Sequence, residues 1–360
     1  MYASGILTRE LLQGTAMHIR FGMGMGRTET ASEIGELARM TENNGFEYIT
    51  VVDEPFLARD VFTLLAVVAL NTERVSIGHG VVDPLTYFPT ALGNAAATLH
   101  ELSGGRAFLG LGAGGPAGKY MEPLPSKRFE EAVLFLKKFM RGGVGEYRGH
   151  KIHSEWIKDP VPIHLAADGP RALKLAGRVA DGVITMGGSP TLLKWKLDLI
   201  EQGALEVDRD PSEIEVWVRS ILIIADSKKD AFREGAAFLP GVGAVARYIT
   251  LPQTAYREQI DRMLAVLDSE SPGIVDEMLK IHEAAEHYSF EQLDNPPSKI
   301  TSQRVVDFFN QTGTEEEVYE GVARLAEVGV KRLATANYTI IDKKAQIEEI
   351  GKRIIPRFAE

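Results

Sequence analysis

Short apolar runs alternate with segments of helical periodicity along the chain from residue 17 onwards. The apolar runs lack polar alternation, which is typical of strands that a parallel sheet buries on both faces. The strands predicted on this basis span residues 19–23, 47–52, 75–78, 107–111, 162–166, 183–186, 214–225 and 332–336. Eight strand-helix units predict an α/β fold, a (β/α)8 TIM barrel, and the alternative fold is a doubly wound open sheet.

Capping residues mark several helix starts. Thr30 with Glu33, and Thr314 with Glu317, form capping-box patterns ahead of apolar helical faces. Asp168 is predicted to cap the helix that begins directly after it.

Between residues 226 and 311 the alternation is lost, and helical patterns follow one another with proline and glycine breaks. This segment is predicted to be an α-helical insertion after the seventh strand. A glycine-punctuated segment at 142–149 predicts a hairpin ahead of the fifth strand. We expect residues 1–16 to be an N-terminal extension, and residues 17–360 to form a single TIM-barrel domain that contains the insertion.

The composition is that of an ordinary globular protein, with 44% apolar and 25% charged residues in a chain of 360. The net charge of −10 and the lack of a basic cluster argue against a nucleic-acid partner. Because the sequence has no cysteine, disulfides, thiol nucleophiles and cysteine-ligated metals are excluded. It has neither an apolar run long enough to span a bilayer nor a signal peptide, so we expect a cytoplasmic protein with no membrane partner.

Chemistry-bearing residues follow the second and third strands, and loops at such strand ends bind ligands in parallel α/β proteins. Asp53 and Glu54 come directly after the second strand. Adjacent residues on a strand point to opposite faces, so one carboxylate can face the barrel mouth. A capping aspartate is the competing interpretation, and the location favours function. The loop at 79–87, which contains Asp83, is too long for a minimal turn.

Two backbone features suggest a phosphate-bearing planar cofactor. Gly110, Gly112 and Gly115 fit the pattern GxGxxG, but the acidic residue expected about 20 positions later falls inside a predicted helix. Glycines that let a flat ring approach the backbone are therefore favoured over a dinucleotide site. Residues 166–171 join the fifth strand to a helix N-terminus, whose free N–H groups can bind phosphate, although an ordinary helix start is the alternative.

The histidines do not predict a metal site. Residues 282–287 nearly match the zinc pattern HExxH, but the second histidine is one residue out of phase, so an exposed polar helix face is favoured. His79 and His164 lie in strand-like runs without ligand spacing between them, and we expect each to line the core or a pocket.

A set of short motifs at strand ends and helix starts extends along most of the chain. They are DV at 60–61, ALNT at 69–72, GHGV at 78–81, SGGRA at 103–107, LGLG at 109–112, GP at 169–170, LAG at 175–177, ADGV at 180–183, DPSE at 210–213 and GT at 313–314. Together they resemble the luciferase-like flavin and deazaflavin oxidoreductases, and within them methylenetetrahydromethanopterin reductase.

The resemblance implies a TIM barrel that binds coenzyme F420 across the strand ends, and it implies a homodimer. It places the deazaflavin ring against the Gly80–Val81 bond, which is often a non-prolyl cis peptide in this family. The other cofactor-binding residues that it implies are Asp53, Asp83, Ala113, Gly114, Ala166, Ala167, Asp168, Gly169, Met186 and Gly187.

The chain departs from its relatives at three places. The usual Asp-His after the second strand is Asp53-Glu54, and acidic residues that relatives carry in the first strand and after the fourth match Gly24 and Gly115. The chemical class is kept because the cofactor carries the hydride while the protein orients ring and substrate.

The expected reaction is hydride transfer between coenzyme F420 and a small organic molecule with a C=N, C=C or C=O bond. Asp53 is expected to polarise the ring edge, and Glu54 is the candidate general acid or base. The alternatives are an FMN-dependent monooxygenase and a non-catalytic flavin-binding relative.

Overall fold

A closed barrel of parallel strands lies at the centre of the computed structural model, which describes residues 18–54, 58–113, 124–237, 239–250, 255–285, 296–336 and 342–359. The strands are β1 (Arg20–Met25), β2 (Tyr48–Val51), β3 (Ser76–His79), β4 (Ala107–Leu111), β5 (Val144–Tyr147), β6 (His150–His153), β7 (Ile163–Ala166), β8 (Gly182–Met186), β9 (Glu215–Arg219), β10 (Leu222–Ile224), β11 (Gln311–Gly313) and β12 (Arg332–Ala336). The barrel order is β1–β12–β9–β8–β7–β4–β3–β2. The predicted TIM barrel is confirmed, and the open sheet is excluded.

Helices cover the outside of the barrel. They are α1 (Ala31–Asn43), α2 (Val61–Leu70), α3 (Pro89–Leu102), α4 (Ser126–Phe139), α5 (Pro170–Val179), α6 (Pro190–Leu205), α7 (Lys228–Ala237), α8 (Pro240–Thr250), α9 (Arg257–Glu270), α10 (Ile274–Ala285), α11 (Pro296–Ile300), α12 (Gln303–Phe309), α13 (Glu315–Glu327) and α14 (Lys343–Glu349). Both predicted capping boxes are formed, at the starts of α1 and α13. The predicted hairpin is the antiparallel pair β5–β6.

The predicted seventh strand, residues 214–225, is two strands rather than one. β9 stays in the barrel between β8 and β12, whereas β10 pairs with β11 outside it. The chain leaves the barrel at Ser220, whose side chain donates to the carbonyl of Phe309 at 2.8 Å. Both halves are buried, because Ile221 and Ile223 pack in an apolar cluster above the barrel. Apolar periodicity therefore could not separate them.

Aromatic rings fill the interior of the barrel. Tyr48 stacks on Trp217 with ring centroids 4.0 Å apart, and Phe108 stacks on His164 at 4.3 Å. The Tyr48 hydroxyl lies 3.1 Å from Nδ1 of His164. Burial lowers the pKa of His164 to about 4, so this histidine is a neutral member of the core, as predicted. With the interior packed, the ligand site is left to the strand ends.

Helices α7 to α12 form the insertion between β10 and β11. They have their own apolar cluster, which includes Val245, Leu267, Met278 and Phe309, and Leu192 of α6 joins it. Because of this cluster, the insertion packs against the strand-end side of the barrel through α6. Within the residues that the structure describes, no helix is long and apolar enough to cross a membrane.

Candidate active site

The peptide bond between Gly80 and Val81, directly after β3, is cis. This is the bond for which the resemblance implied that geometry, so the predicted cis peptide is confirmed. Backbone hydrogen bonds hold the segment on both sides: Gly80 N donates to Val51 O at 2.8 Å, and Val82 N donates to Gly110 O at 3.0 Å. The segment is therefore fixed between β2 and β4 at the barrel mouth.

Three glycines keep space for this segment. A Cβ on Gly80 would lie 2.7 Å from Cβ of Thr50, and one on Gly112 would lie 2.7 Å from a methyl group of Val81. A Cβ on Gly110 would overlap the backbone carbonyl of His79. Gly110, in β4, and Gly112, after it, therefore let one strand end pack against the next. That these glycines also let a flat ring approach the backbone stays a prediction.

The residues predicted beside this segment are only partly described. Ala113 is exposed at the end of β4. Gly114 and Gly115 lie outside the described residues, so their predicted places are not seen.

Arg219 is a mouth residue that the sequence did not single out. It lies two positions after the interior residue Trp217 on β9, so its side chain also points into the barrel. Its Nη1 lies 3.4 Å from the Gly80 carbonyl, which belongs to the cis peptide. A charged residue inside an apolar strand run was the available signal.

Asp53 is buried between the loops that follow β2 and β3, with 7% of its surface exposed. The Tyr87 hydroxyl donates to Oδ1 of Asp53 at 3.3 Å. Oδ2 has no hydrogen-bond partner within the described part of the chain. The pKa of Asp53 is raised to about 6: burial is the largest cause, the Tyr87 hydrogen bond opposes it, and Asp83, Asp60 and Glu54 add to the rise.

Asp83 shapes the loop in which it lies. Its Oδ1 accepts hydrogen bonds from Leu85 N at 2.9 Å and Thr86 N at 2.7 Å, and Oδ2 accepts one from the Thr86 hydroxyl at 3.2 Å. This is the local bonding of an Asx-turn. Asp83 therefore places the start of the loop that carries Tyr87.

Glu54 turns away from Asp53 and pairs with Arg27, in the loop after β1. The two side chains are 4% (Arg27) and 17% (Glu54) exposed, and Nη1 of Arg27 lies 2.8 Å from Oε2 of Glu54. The adjacent carboxylates thus diverge, as their positions predicted. Glu54 is occupied by a buried ion pair.

The sequence predicted that Asp168 caps α5, and this prediction is wrong. The capping residue is Gly169, and no side chain caps this helix. The carboxylate of Asp168 instead accepts hydrogen bonds from Met186 N at 2.9 Å and from the Thr185 hydroxyl at 2.9 Å, at the end of β8. The buried Lys196 of α6, 1% exposed, explains the difference.

Lys196 of α6 connects the loop after β7 to the end of β8. Its Nζ lies 2.7 Å from Oδ1 of Asp168 and donates to the Met186 carbonyl at 2.8 Å. Burial would raise the pKa of Asp168, but Lys196 together with the hydrogen bonds from Met186 N and Thr185 outweighs it, so the pKa is lowered. The pair fixes the loop after β7 against the end of β8.

The segment from Ala166 to Gly169 leads into the N-terminus of α5. Ala167 is buried, and its N–H donates to Ile184 O at 3.0 Å. Since Pro170 occupies the first turn and no side chain caps the helix, backbone N–H groups at its N-terminus are available to an anion. Met186 and Gly187 lie beside this turn, at the end of β8.

A cavity joins the barrel mouth to the insertion. On the barrel side it reaches the ends of β8, β9 and β12, and on the other side it reaches α8 and α12. Its lining residues are Gly187, Arg219, Ser220, Ile221, Gly241, Phe309, Asn310 and Ala336.

The remaining histidines that the structure describes do not gather into a metal site. His79 is fully buried beside Phe62, with ring centroids 5.1 Å apart, and burial lowers its pKa to about 4. Glu286 and His287 of the HExxH-like segment lie outside the described residues. Among the residues that are described, no cluster of acidic or histidine side chains could hold a metal ion.

Comparison with known proteins gives consistent matches. Residues 13–332 match the family described as luciferase-like monooxygenase. A 5,10-methylenetetrahydromethanopterin reductase from Archaeoglobus fulgidus is 26% identical over 94% of this chain and 99% of its own length.

Solved structures agree on the fold. The coenzyme F420-dependent tetrahydromethanopterin reductase from Methanopyrus kandleri superposes with a TM-score of 0.76, at 22% identity over 95% of this chain and 99% of that one. The oxygenating constituent of 3,6-diketocamphane monooxygenase from Pseudomonas putida, in complex with FMN, superposes with a TM-score of 0.65. The two chains are 17% identical over 94% of this chain and 98% of that one.

Proposed function

Since the chain belongs to the luciferase-like monooxygenase family, we propose that it is a coenzyme F420-dependent oxidoreductase that transfers a hydride between the deazaflavin and a small organic molecule. The observation that carries this proposal is the Gly80–Val81 segment at the barrel mouth, which backbone hydrogen bonds fix between β2 and β4. It lies at the position where the family resemblance implies support for the ring. Relatives that match almost the whole chain are named for reduction of a methylene-pterin.

The described residues fit a phosphate-bearing deazaflavin. Gly80 and Val81 offer a backbone surface at the mouth, with Ala113 on the neighbouring strand end. The uncapped α5 N-terminus, after Ala166 and Ala167, suits a phosphate. Asp53 has a buried carboxylate oxygen without a partner among the described residues, which suits a polar ring edge or a substrate group. Asp83, Asp168, Gly169, Met186 and Gly187 would place or line the same surface.

In the reaction, coenzyme F420 supplies or accepts the hydride at C5 of its ring. The chain orients the reactants: the segment at Gly80 is fixed by β2 and β4, and Arg219 holds its carbonyl. Asp53 and Glu54 are the two carboxylates that the sequence singles out for acid–base chemistry at this mouth.

The proposed substrate carries a C=N, C=C or C=O bond. The family resemblance implies an acidic residue in the first strand of the pterin reductases, where this chain has Gly24, and an acidic residue after the fourth strand of relatives, where it has Gly115, so we do not extend the pterin itself to this chain. Arg219, Asn310 and Phe309 lie where the barrel mouth meets the insertion, and we propose that the substrate binds on this side of the mouth.

Titration of the purified protein with oxidised coenzyme F420 and, in parallel, with FMN tests the cofactor. Coenzyme fluorescence should change with saturation at micromolar F420, while FMN should bind at least tenfold more weakly. Saturable FMN binding that is tighter than F420 binding would contradict the proposal.

The second candidate is an FMN-dependent monooxygenase. The observation that favours it is the superposition on a monooxygenase structure that contains FMN. It predicts consumption of oxygen with reduced FMN, which an oxygen electrode measures. A non-catalytic flavin-binding relative would bind a cofactor tightly but would not oxidise reduced F420 with any acceptor.

We also propose a cytoplasmic homodimer. Leu70, Phe88 and Leu102, on or next to α2 and α3, are exposed apolar residues that a partner could cover. Sedimentation equilibrium should give twice the chain mass of 39.5 kDa, and a single-chain mass would rule the dimer out.

A further inference from the structure

We propose that Asp53, rather than Glu54, exchanges the proton that accompanies hydride transfer in this protein. This inference rests on the proposed function, and it divides two neighbouring carboxylates between two roles. Asp53 would act on the substrate, and Glu54 would hold the loop after β1 through Arg27.

The geometry separates the two carboxylates. Asp53 is 7% exposed, and its Oδ2 has no hydrogen-bond partner among the residues that the structure describes. Buried polar atoms are almost always paired, so a carboxylate oxygen left without a partner is expected to meet a ligand. The Tyr87 hydroxyl holds the other oxygen at 3.3 Å and so restricts rotation of the carboxyl group.

Glu54 is committed to a different contact. It lies 2.8 Å from Nη1 of Arg27, a guanidinium that is itself almost fully buried. This ion pair is largely buried and joins the loop after β1 to the end of β2. Using Glu54 in proton exchange would disrupt that buried pair.

The surroundings of Asp53 favour its neutral form. From its own segment it faces Glu54, from the loop after β3 it faces Asp83 and the Tyr87 hydroxyl, and from the start of α2 it faces Asp60. Burial and these acidic neighbours raise the pKa of Asp53 to about 6. Near neutral pH both protonation states are therefore populated, which suits a group that must give and regain a proton.

The proposed step balances as follows. The hydride leaves C5 of the reduced deazaflavin with its electron pair and bonds to the electrophilic carbon of the C=O, C=N or C=C group. The π electrons of that group move to its other atom, which takes the proton from the carboxyl group of Asp53. The deazaflavin is oxidised, the substrate is reduced, and Asp53 is left as a carboxylate that regains a proton from water.

The test compares Asp53→Asn, Glu54→Gln and the exposed control Asp198→Asn, on α6, with the unmodified protein. First, fluorescence titration with coenzyme F420 measures cofactor binding for each protein. Second, infrared titration follows the carboxyl C=O band between pH 4 and 8. Third, oxidation of reduced F420 is followed over the same pH range with three probes: acetone, cyclohexenone and a cyclic imine.

We expect a carboxyl band that titrates near pH 6 in the unmodified protein and is absent from Asp53→Asn. With an accepted probe, kcat/KM should fall as pH rises through that midpoint, because the protonated carboxyl is lost. Asp53→Asn should lower kcat by about 100-fold or more, while F420 binding changes less than tenfold. It should also abolish the fall of kcat/KM with rising pH, which is called the limb below. Glu54→Gln should keep the limb, and Asp198→Asn should match the unmodified protein.

Three outcomes would overturn the inference alone. The first is an Asp53→Asn protein that keeps the limb, the second is a Glu54→Gln protein that loses it, and the third is loss of F420 binding in Asp53→Asn. Failure of the unmodified protein to bind F420, or to oxidise its reduced form with any probe, would instead overturn the proposed function and this inference with it.

Discussion

Lys196→Met is expected to destabilise the protein by about 4 kcal/mol and to weaken coenzyme F420 binding at least tenfold. Methionine keeps the apolar length of the side chain but removes the cation 2.7 Å from Asp168. The carboxylate would then remain partly buried without its main counter-charge. Asp168 also fixes the end of β8 through a hydrogen bond from Met186 N. The loop after β7, which we propose to hold the phosphate, should therefore become less ordered.

Denaturant unfolding and F420 fluorescence measure both effects. Lys174→Met is the matched control, since its ion pair with Glu206 is partly exposed and should be worth less than about 1 kcal/mol. The double change Lys196→Met with Asp168→Asn should recover part of the stability, because the buried carboxylate is removed together with its cation. An Lys196→Met protein as stable as the Lys174→Met control would contradict this account.

The stability that this pair contributes should depend on pH. The pKa of Asp168 is lowered in the folded protein, below the value of about 3.9 for an unfolded aspartate. The contribution is therefore complete above about pH 4 and is lost as pH falls through the folded pKa. The difference in unfolding free energy between the unmodified protein and Lys196→Met should stay constant from pH 7 to about pH 4 and shrink as the pH is lowered further.

Gly110→Ala is expected to cost about 3 kcal/mol and to disturb the segment at Gly80–Val81. The new methyl group would overlap the carbonyl of His79, which is backbone and cannot rotate away. The end of β4 would have to move from β3, and the hydrogen bond from Val82 N to Gly110 O would be strained.

Gly142→Ala is the control for this change. A Cβ at Gly142 meets nothing within 4 Å, so its effect should stay below about 1 kcal/mol in either direction. Thermal unfolding and F420 titration of both variants make the comparison. Equal stability and equal F420 affinity of the two variants would show that close packing at Gly110 does not support the site.

Local patterns predicted most of the barrel. The strand at 107–111 and the helix at 61–70 have the predicted bounds, because continuous apolar runs and a capping aspartate define them without help from distant residues. The two capping boxes were equally local. The family motifs also identified Gly80–Val81 as the special bond, which no periodicity could have indicated.

Contacts between distant parts of the chain account for the rest. Residues 214–225 read as one strand because burial alone does not reveal that β10 pairs with β11, which lies almost ninety positions later. The sequence around Asp168 indicates a helix cap, since its actual partner, Lys196, lies far along the chain on α6 and cannot be recognised locally. The contact of Arg219 with Gly80 crosses the barrel and required the closed fold to be seen.

The position of the cofactor is tested most directly by a crystal structure of the protein with oxidised coenzyme F420. We expect the deazaflavin ring to lie against Gly80 and Val81, its phosphate to lie at the α5 N-terminus near Gly169, and the carboxyl group of Asp53 to face the reacting side of the mouth. A ring bound away from Gly80–Val81, or an α5 N-terminus without the phosphate, would contradict the account.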